Sequence, residues 1–509
     1  MRTVVQTAFL MAVLTLISKI LGFIREMILA AFYGTSYITD AYVMSITITG
    51  IIFSGILGAV TTSYIPVYSR IKEQEGEKEG RIFTNQILTT LYFVSILSCI
   101  IGIVFSDSLV SIFARGFQGE TASLTAFYLK FTFCYIIFTS ATGVLGAYLQ
   151  YKGIFLPQIA AGFLQNLSII AVIIISGYTT HYYLALGILL GTAANFIITA
   201  IITNKNGYKF TPNFRINESA KEIIFLAVPV FIGSSVVQIN TFVDKALASG
   251  LPEGSVSALN YAMLLVTLAT SLTTTILITI IYPKISKANS LQEYDVFNDV
   301  LGRAISVVFI ISIPLTLGAM VYSNQVVQIV YERGAFDSAA TMKTSSAFFY
   351  YAIGLTAITL IAFLTHIYYS IRDMKTPIIH GVISVIINIA LNLILIKPMA
   401  HNGLALATSI ASYINALLLY NGLKQKYPHI NLIKSRRKLS IIGLSSILSV
   451  GMSMLLYYMV IMPLKHIIVA RMLQLALTVI FAAIVYLLLL RVFKIEEINL
   501  IKQIFKRNG

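Results

Sequence analysis

The stretch "SKILGFIREMILAAFYGTSYITD", residues 18–40, is apolar enough for lipid, yet it carries Lys19, Arg25, Glu26 and, just beyond the run, Asp40. A charge near the middle of a bilayer costs a few kcal/mol or more, so such residues persist where a partner or a water-filled cavity answers them. Two questions follow. One is whether the whole chain is built for a membrane; the other is what these charges serve.

Of the 509 residues, 57% are hydrophobic and 11% charged, against about 25% charged in an average soluble domain. Apolar windows of roughly 20 residues, enough to cross about 30 Å of hydrocarbon, recur from end to end. Fourteen can be drawn, from 5–32 to 467–492, including 37–64, 221–249, 255–282, 377–396 and 401–422. The expected fold is an all-α polytopic membrane protein of about 14 helices. The first window is too long for the apolar core of a signal peptide and has no small-residue cleavage site before its charges, so it is expected to remain as the first span.

An even number of spans puts both termini on one side. If that side is the cytoplasm, the inner loops and tails hold 25 Lys and Arg residues and the outer loops four, namely Arg115, Arg333, Lys397 and Lys465. That asymmetry follows the positive-inside rule. The net charge of +16 is therefore topological and faces anionic lipid, not nucleic acid. Both termini are therefore expected on the cytoplasmic side of the membrane.

The chain also repeats itself. "ARGFQGETASLTAFYLKF" from 114 echoes "ERGAFDSAATMKTSSAFFYY" from 332, "YKGIFLP" ending at Pro157 echoes "IRDMKTP" ending at Pro377, and Pro66 parallels Pro283. The offset is 217–220 residues, the pattern of transporters built from internal repeats. Six spans per repeat is even, so two lobes should share one orientation about an axis along the membrane normal. The expected organisation is an N-lobe at 1–210, a C-lobe at 211–425, and a C-terminal helix pair with a basic tail at 426–509. Sliding the first lobe by 219 lays Arg25 and Glu26 on Asp244 and Lys245, so each lobe carries an adjacent acid and base in its first helix.

On a helix Lys19 and Glu26 are two turns apart and nearly eclipsed, while Arg25 lies about 100° round from Glu26. Gly22 between them permits a bend, and a 5–32 span has length to spare for one. The bland reading is that these charges pair for folding alone, or that Asp40 sits at the outer interface; the functional reading is a polar chamber between the lobes. A second polar set lies in later spans, with Asn388 and Asn392 one turn apart and Thr408 in the next helix. With Asp244, their oxygens suit a hard cation such as sodium, or else simple interhelical hydrogen bonding. Gly50, Ser54, Gly55 and Gly58 give small-residue spacing for close helix contact. Cys99 and Cys134 lie in apolar spans without disulfide or metal spacing and read as core fillers. Trp is absent, leaving the interfacial belt to the 29 tyrosines. No nucleotide-binding loop, catalytic constellation or cofactor signature is present, and the loops between spans are too short for a catalytic domain, so the reading is a transporter and not an enzyme, with a membrane-embedded transferase as the remaining alternative.

"SKILGFIREMILAAFYGTSYITDAY", "SYIPVYSR", "LASGLPEGSVSALNYA", "YERGAFD" and "YYSIRDMKTP", in that order across the first twelve spans, resemble the signatures of the MurJ (MviN) lipid II flippases of the multidrug, oligosaccharidyl-lipid and polysaccharide exporter superfamily. The resemblance implies two helical lobes plus a C-terminal pair that move an undecaprenyl-diphosphate-linked peptidoglycan precursor outward by alternating access, driven by membrane potential or a cation gradient. It implies substrate contact by Lys19, Arg25, Glu26 and Asp40, to which the charge pattern adds Lys245 in compensation for cavity cations this chain lacks, an ion site resembling Asp244, Asn388, Asn392 and Thr408 with sodium as coupling ion, and no other cofactor. The partners implied are lipid II, membrane lipids and cell-wall synthesis enzymes, with no nucleic acid. Where the family often carries cations, Phe53, Met263 and Leu264 are apolar here, which keeps open export of another polyprenyl-linked glycan or a cation-coupled drug exporter of the same superfamily.

Overall fold

A backbone surrounded by hydrocarbon has no water to bond and must satisfy its own N–H and C=O groups. In the computed structural model, which describes residues 4–215, 238–290, 294–427, 436–461, 468–495 and 497, every regular element is accordingly helical. The start of the seventh expected span (221–237) and the basic tail (498–509) lie outside the described residues. The helices are α1 (Val4–Tyr33), α2 (Tyr37–Glu75), α3 (Glu77–Val104), α4 (Ser106–Phe113), α5 (Gly119–Tyr151), α6 (Leu156–Tyr178), α7 (Leu184–Lys205) and α8 (238–248). They continue as α9 (Ser255–Ser290), α10 (Tyr294–Val321), α11 (Ser323–Tyr331), α12 (Ser338–Ile353), α13 (Leu355–Ser370), α14 (Lys375–Met399), α15 (His401–Lys426), α16 (Arg436–Leu456) and α17 (Ile468–Val492). Among the described residues ten helices are long and apolar enough to cross a membrane, and the bent pair α12–α13 makes an eleventh.

Packing divides the chain into two units, Met1–Ser257 with Arg333–Asp337, and Ala258–Glu332 with Ser338–Gly509. Helix α8 and the first turn of α9 thus pack with the first unit, beyond the 210/211 boundary that counting six spans suggests. The first unit is cored by stacked aromatics, with Tyr64 against Tyr68 and Phe83 at ring distances of 5.4 and 5.8 Å, and by a second cluster around Leu29, Tyr42 and Tyr128. The second unit is cored by Phe363, Leu364, Tyr368 and Leu419. Tyrosine therefore does more than line an interface: Tyr64, Tyr68, Tyr128, Tyr148, Tyr261, Tyr331 and Tyr368 are fully buried.

The duplication survives in backbone detail. Helix α5 ends on Gly153 at φ 74°, with Ile154 N–H donating to Leu149 C=O (2.9 Å) and Gly153 N–H to Gln150 C=O (3.0 Å). Helix α13 ends on Arg372 at φ 61°, with Asp373 N–H donating to Tyr368 C=O (2.9 Å) and Arg372 N–H to Tyr369 C=O (3.1 Å). Both are left-handed caps of the kind that satisfy terminal helix carbonyls, and every pair of equivalent residues is separated by 219. Arginine holds this conformation at a cost of about 1–2 kcal/mol. The neighbouring carboxylate offsets it: Asp373 accepts hydrogen bonds from Lys426 Nζ (2.6 Å), Thr376 Oγ1 (2.7 Å) and Thr376 N–H (3.1 Å), fastening the start of α14 to the end of α15.

The repeats diverge at one helix. Where α5 is continuous, its counterpart breaks at Gly354 with a bend of 48°. Gly354 N–H bonds Tyr351 C=O instead of Tyr350 C=O, and the carbonyls released are taken by α15: Ser409 Oγ donates to Tyr350 C=O (2.6 Å) and Tyr413 OH to Ile353 C=O (3.0 Å). A Cβ at 354 would stand 2.8 Å from Ser409 Oγ, so glycine admits the α15 hydroxyl to the break.

Several expectations need revision. The stretches 106–113 and 323–331, expected to be loops, are the short helices α4 and α11, again at matching places in the repeat. Helix α1 passes through Gly22 as one helix. Gly50 and Gly58 are not close-contact positions, since a Cβ at either would meet no described atom within 4 Å. Close approach occurs at Gly143 instead, where a Cβ would lie 2.8 Å from Leu57. Cys99 and Cys134 are free thiols with Sγ atoms 3.2 Å apart, joining α3 to α5.

Burial of the Asp373 carboxyl raises its pKa, but the bonds from Lys426 and Thr376 prevail and hold it at about 2. A depressed folded pKa stabilises above the unfolded value of about 3.9 and is lost as pH falls toward 2. Asp373→Asn should lower the thermal unfolding midpoint in detergent by a few degrees at pH 7, and its difference from wild type should shrink below about pH 4.

Candidate functional site

The opening charges lie where α1 meets α6. Gly22 on α1 and Gly162 on α6 leave room for that approach: a Cβ at 22 would touch Asn166 Oδ1 at 3.7 Å and one at 162 would touch Ser18 Oγ at 3.6 Å. Small residues at a helix crossing let polar groups meet across it. Arg25 Nη1 accordingly donates to Asn166 Oδ1 (3.2 Å), and Asn166 Nδ2 donates back to Gly162 C=O (3.0 Å). On the other side of the guanidinium, Nη2 and Nε both reach Glu26 Oε1, at 2.6 and 3.2 Å. The Arg25 side chain keeps 29% of its surface exposed and Glu26 keeps 12%. A guanidinium carries five N–H donors, and the bonds to described residues use three, leaving one N–H on each terminal nitrogen.

Lys245 on α8 belongs to the same unit. Its Nζ donates to Thr47 Oγ1 on α2 (3.1 Å), whose own hydroxyl is directed to Val43 C=O (2.7 Å). Glu26 and Asp244 lie close enough to Lys245 for their charges to interact with it. Arg25, Lys245, Glu26 and Asp244 thus make a set of two cations and two anions, neutral in sum. Lys19 is exposed, and no hydrogen bond or ion pair joins it to this cluster.

Asp40 is tied to the start of another helix. It is 2% exposed and accepts backbone N–H bonds from Gly254 (2.7 Å, Oδ2) and Ser257 (2.7 Å, Oδ1). These amides open α9, whose first N–H groups have no intrahelical acceptor and whose dipole favours an anion. The geometry makes Asp40 a helix cap that fastens the start of α9 to α2. Tyr37 N–H adds a parallel tie to Glu253 Oε1 (2.8 Å).

The expected cation ligands fall in different units. Asp244, 4% exposed, belongs to the first; Asn388, Asn392 and Thr408 belong to the second. Those three join α14 to α15: Asn388 Nδ2 donates to Thr408 Oγ1 (3.2 Å) and Asn392 Nδ2 to Asn388 Oδ1 (2.9 Å). Sequence reasoning missed Asn166 and Thr47. An amide inside the apolar run "FLQNLSII" was the available signal for Asn166, since such groups seldom face lipid; a threonine that bonds its own helix carries none.

A family model described as lipid II flippase MurJ matches residues 29–478. The chain belongs to the lipid II flippase MurJ family. It is 29% identical over 441 residues to a probable lipid II flippase MurJ of Rickettsia prowazekii, covering 84% of this chain and 85% of that one. It is 26% identical over 425 residues to the lipid II flippase MurJ of Burkholderia cenocepacia, covering 81% and 82%. A solved lipid II flippase MurJ in an inward closed conformation superposes with a TM-score of 0.82 at 25% identity, over 95% of this chain and 98% of that one. An inward-facing multidrug resistance MATE family transporter matches at TM-score 0.65 and 13% identity, over 82% and 96%, which shows a shared fold. The MurJ family consists of transporters and not enzymes, and with ten or eleven apolar spans among its described residues the chain is a multi-pass inner-membrane protein.

Two charge-assisted bonds at about 1.5–3 kcal/mol each make Asp40 a stability residue. Asp40→Ala should cost about 3 kcal/mol or more in detergent unfolding, and Asp40→Asn, which keeps an acceptor but loses the charge, about half of that. Unchanged stability with abolished transport would place Asp40 on the cargo instead.

Proposed function

We propose that the chain carries lipid II, the undecaprenyl-diphosphate-linked peptidoglycan precursor, from the inner to the outer leaflet by alternating access, with both termini in the cytoplasm. The reading is supported by membership of the MurJ family and, within the site, by one observation: Arg25 keeps an N–H on each terminal nitrogen while Glu26 and Asn166 hold the rest of the guanidinium. Such cationic N–H groups are charge-assisted donors to phosphate oxygens. The neutral Arg25, Glu26, Lys245 and Asp244 set costs less to keep in an apolar span than unpaired cations. A diphosphate arriving at Arg25 competes with Glu26 and can draw on Lys245 as a second charge. Lys19, exposed two turns earlier on α1, is available to the headgroup, and Asp40 orders the segment that carries α9.

An inside-negative potential favours outward movement of an anionic headgroup, by about 2.3 kcal/mol per charge per 100 mV, so potential drive follows from cargo charge alone. Sodium coupling through Asp244, Asn388, Asn392 and Thr408 is the second source of drive, and cell-wall synthesis enzymes are the partners that would consume the product. The apolar side chains of Phe53, which is buried, and of Met263 and Leu264 favour one other cargo, a different polyprenyl-linked glycan.

In cells lacking any other copy, Arg25→Ala should reduce outer-leaflet lipid II at least tenfold, and Arg25→Lys, which keeps charge but loses the fork, by less. Unchanged exposure of lipid II would refute the role of Arg25. Depletion of the protein should accumulate inward-facing lipid II; loss of a surface polysaccharide with normal lipid II would establish the other glycan.

A further inference from the structure

Two thiols stand together inside the first unit, away from the residues of the charge cluster. Three contacts follow one another where α3 crosses α5. Ser95 Oγ donates to Ser140 Oγ (3.0 Å), Cys99 Sγ meets Cys134 Sγ (3.2 Å), and the Phe133 ring occupies the place that a Cβ on Gly102 would fill. Positions rise along α3 as they fall along α5, so the helices are antiparallel and the sulfurs face each other across the seam. Ser95, Ser140 and Phe133 are all buried. The serine bond on one side and the ring on the other fix the crossing, and the thiols cannot part without unpacking both.

The two cysteines are not equivalent. Cys99 is buried, whereas Cys134 is half-buried. Cys134 Sγ donates to Lys130 C=O, one turn earlier on α5, at 3.1 Å. With that hydrogen engaged, the Cys134 sulfur is the acceptor for the Cys99 thiol, giving a chain from Cys99 S–H to Cys134 S–H to the Lys130 carbonyl. Lys130 is exposed and shares a helix face with Cys134, as residues four apart do. A cation beside a thiol favours the thiolate, which is the reactive form. An accessible thiol next to a cation with a second thiol in contact is the arrangement of a redox-sensing pair.

We propose that Cys99 and Cys134 are an oxidative modification site, at which a peroxide converts the pair to a disulfide that joins α3 to α5. Peroxide is small and uncharged enough to reach a thiol in an apolar span. The Cys134 sulfur attacks one peroxide oxygen; the S–O bond forms as the O–O bond breaks, and the released hydroxide takes the Cys134 proton and leaves as water. Cys99 then attacks the sulfenic sulfur. The S–S bond forms, the S–O bond breaks, and the Cys99 proton departs with the hydroxyl as a second water. Two thiols lose two electrons and the peroxide gains them. The crosslink lies within one unit, between helices already packed, so it resists unfolding and leaves the transport residues untouched. Cys99 also protects its partner, because a sulfenic acid left unresolved proceeds to sulfinic acid, which simple thiol reductants do not reverse.

The test treats the full-length protein in liposomes with hydrogen peroxide, then quenches, denatures, alkylates free thiols and measures intact mass. Wild type should lose both thiols together and two hydrogens in mass, with full recovery on adding dithiothreitol, and its unfolding midpoint in detergent should rise on oxidation. Cys99→Ser should instead gain oxygen at Cys134 irreversibly and show no rise in midpoint. Cys134→Ser should leave Cys99 to react about tenfold more slowly or less. Two thiols that remain open to alkylation after peroxide, or that each acquire oxygen without pairing, would overturn the site. Equal rates in the two serine variants would overturn the assignment of Cys134 as the thiol attacked first. None of these readouts depends on the cargo.

Discussion

A guanidinium inside an apolar helix is tenable when its charge is answered on the spot, and Arg25 is answered twice, by the carboxylate of the next residue and by an amide from a neighbouring helix. The first partner neutralises; the second orients. Because Glu26 sits beside Arg25 in sequence, the pair can form as soon as α1 exists and needs no tertiary contact. Asn166 is different, since it reaches the guanidinium only if α1 and α6 cross where both carry glycine. The α1–α6 packing is thus a condition of the site's geometry, and the site's remaining donors point where those two bonds leave them.

Duplication imposes a second constraint. Equivalent left-handed caps at Gly153 and Arg372 show that the second repeat has the same backbone as the first without the residue that adopts it most easily. The Asp373 latch, with Lys426 and Thr376, supplies compensation that the glycine-ended copy does not require. The break at Gly354 shows the reverse, a departure in backbone made tolerable by hydroxyls of α15 that fill the vacated hydrogen bonds. In both places a local rule is broken in one repeat and repaired by a helix that comes later in the chain.

What sequence could reveal follows from the range of each interaction. Span positions were legible because apolar length is a local property, and the repeat was legible because motifs such as "ARG" and "ERG" persist at a constant offset. Arg25 and Glu26 were legible as a pair because adjacency in sequence guarantees proximity. Asn166 and Thr47 were not, because whether an isolated polar side chain in a span meets a particular cation depends on helix rotation, which composition does not encode. Gly50 and Gly58 mislead for the same reason: spacing marks a small-residue stripe without saying whether anything packs on it. Gly116, Gly334 and Gly34 carry backbone contacts that only coordinates reveal.

Asp40 shows how a charge read along the chain as a partner of cations meets a helix end in the fold. Read along the chain, an aspartate at the head of a span beside a basic helix invites a role in balancing cations. In the fold its oxygens accept the amides that begin α9, so it answers the partial positive charge of a helix end. A carboxylate committed in this way has little freedom to exchange partners with a passing phosphate, whereas Glu26, which gives Arg25 one oxygen only, retains that freedom. The division of labour between the two acids follows from how many of their oxygens the resting structure has already engaged.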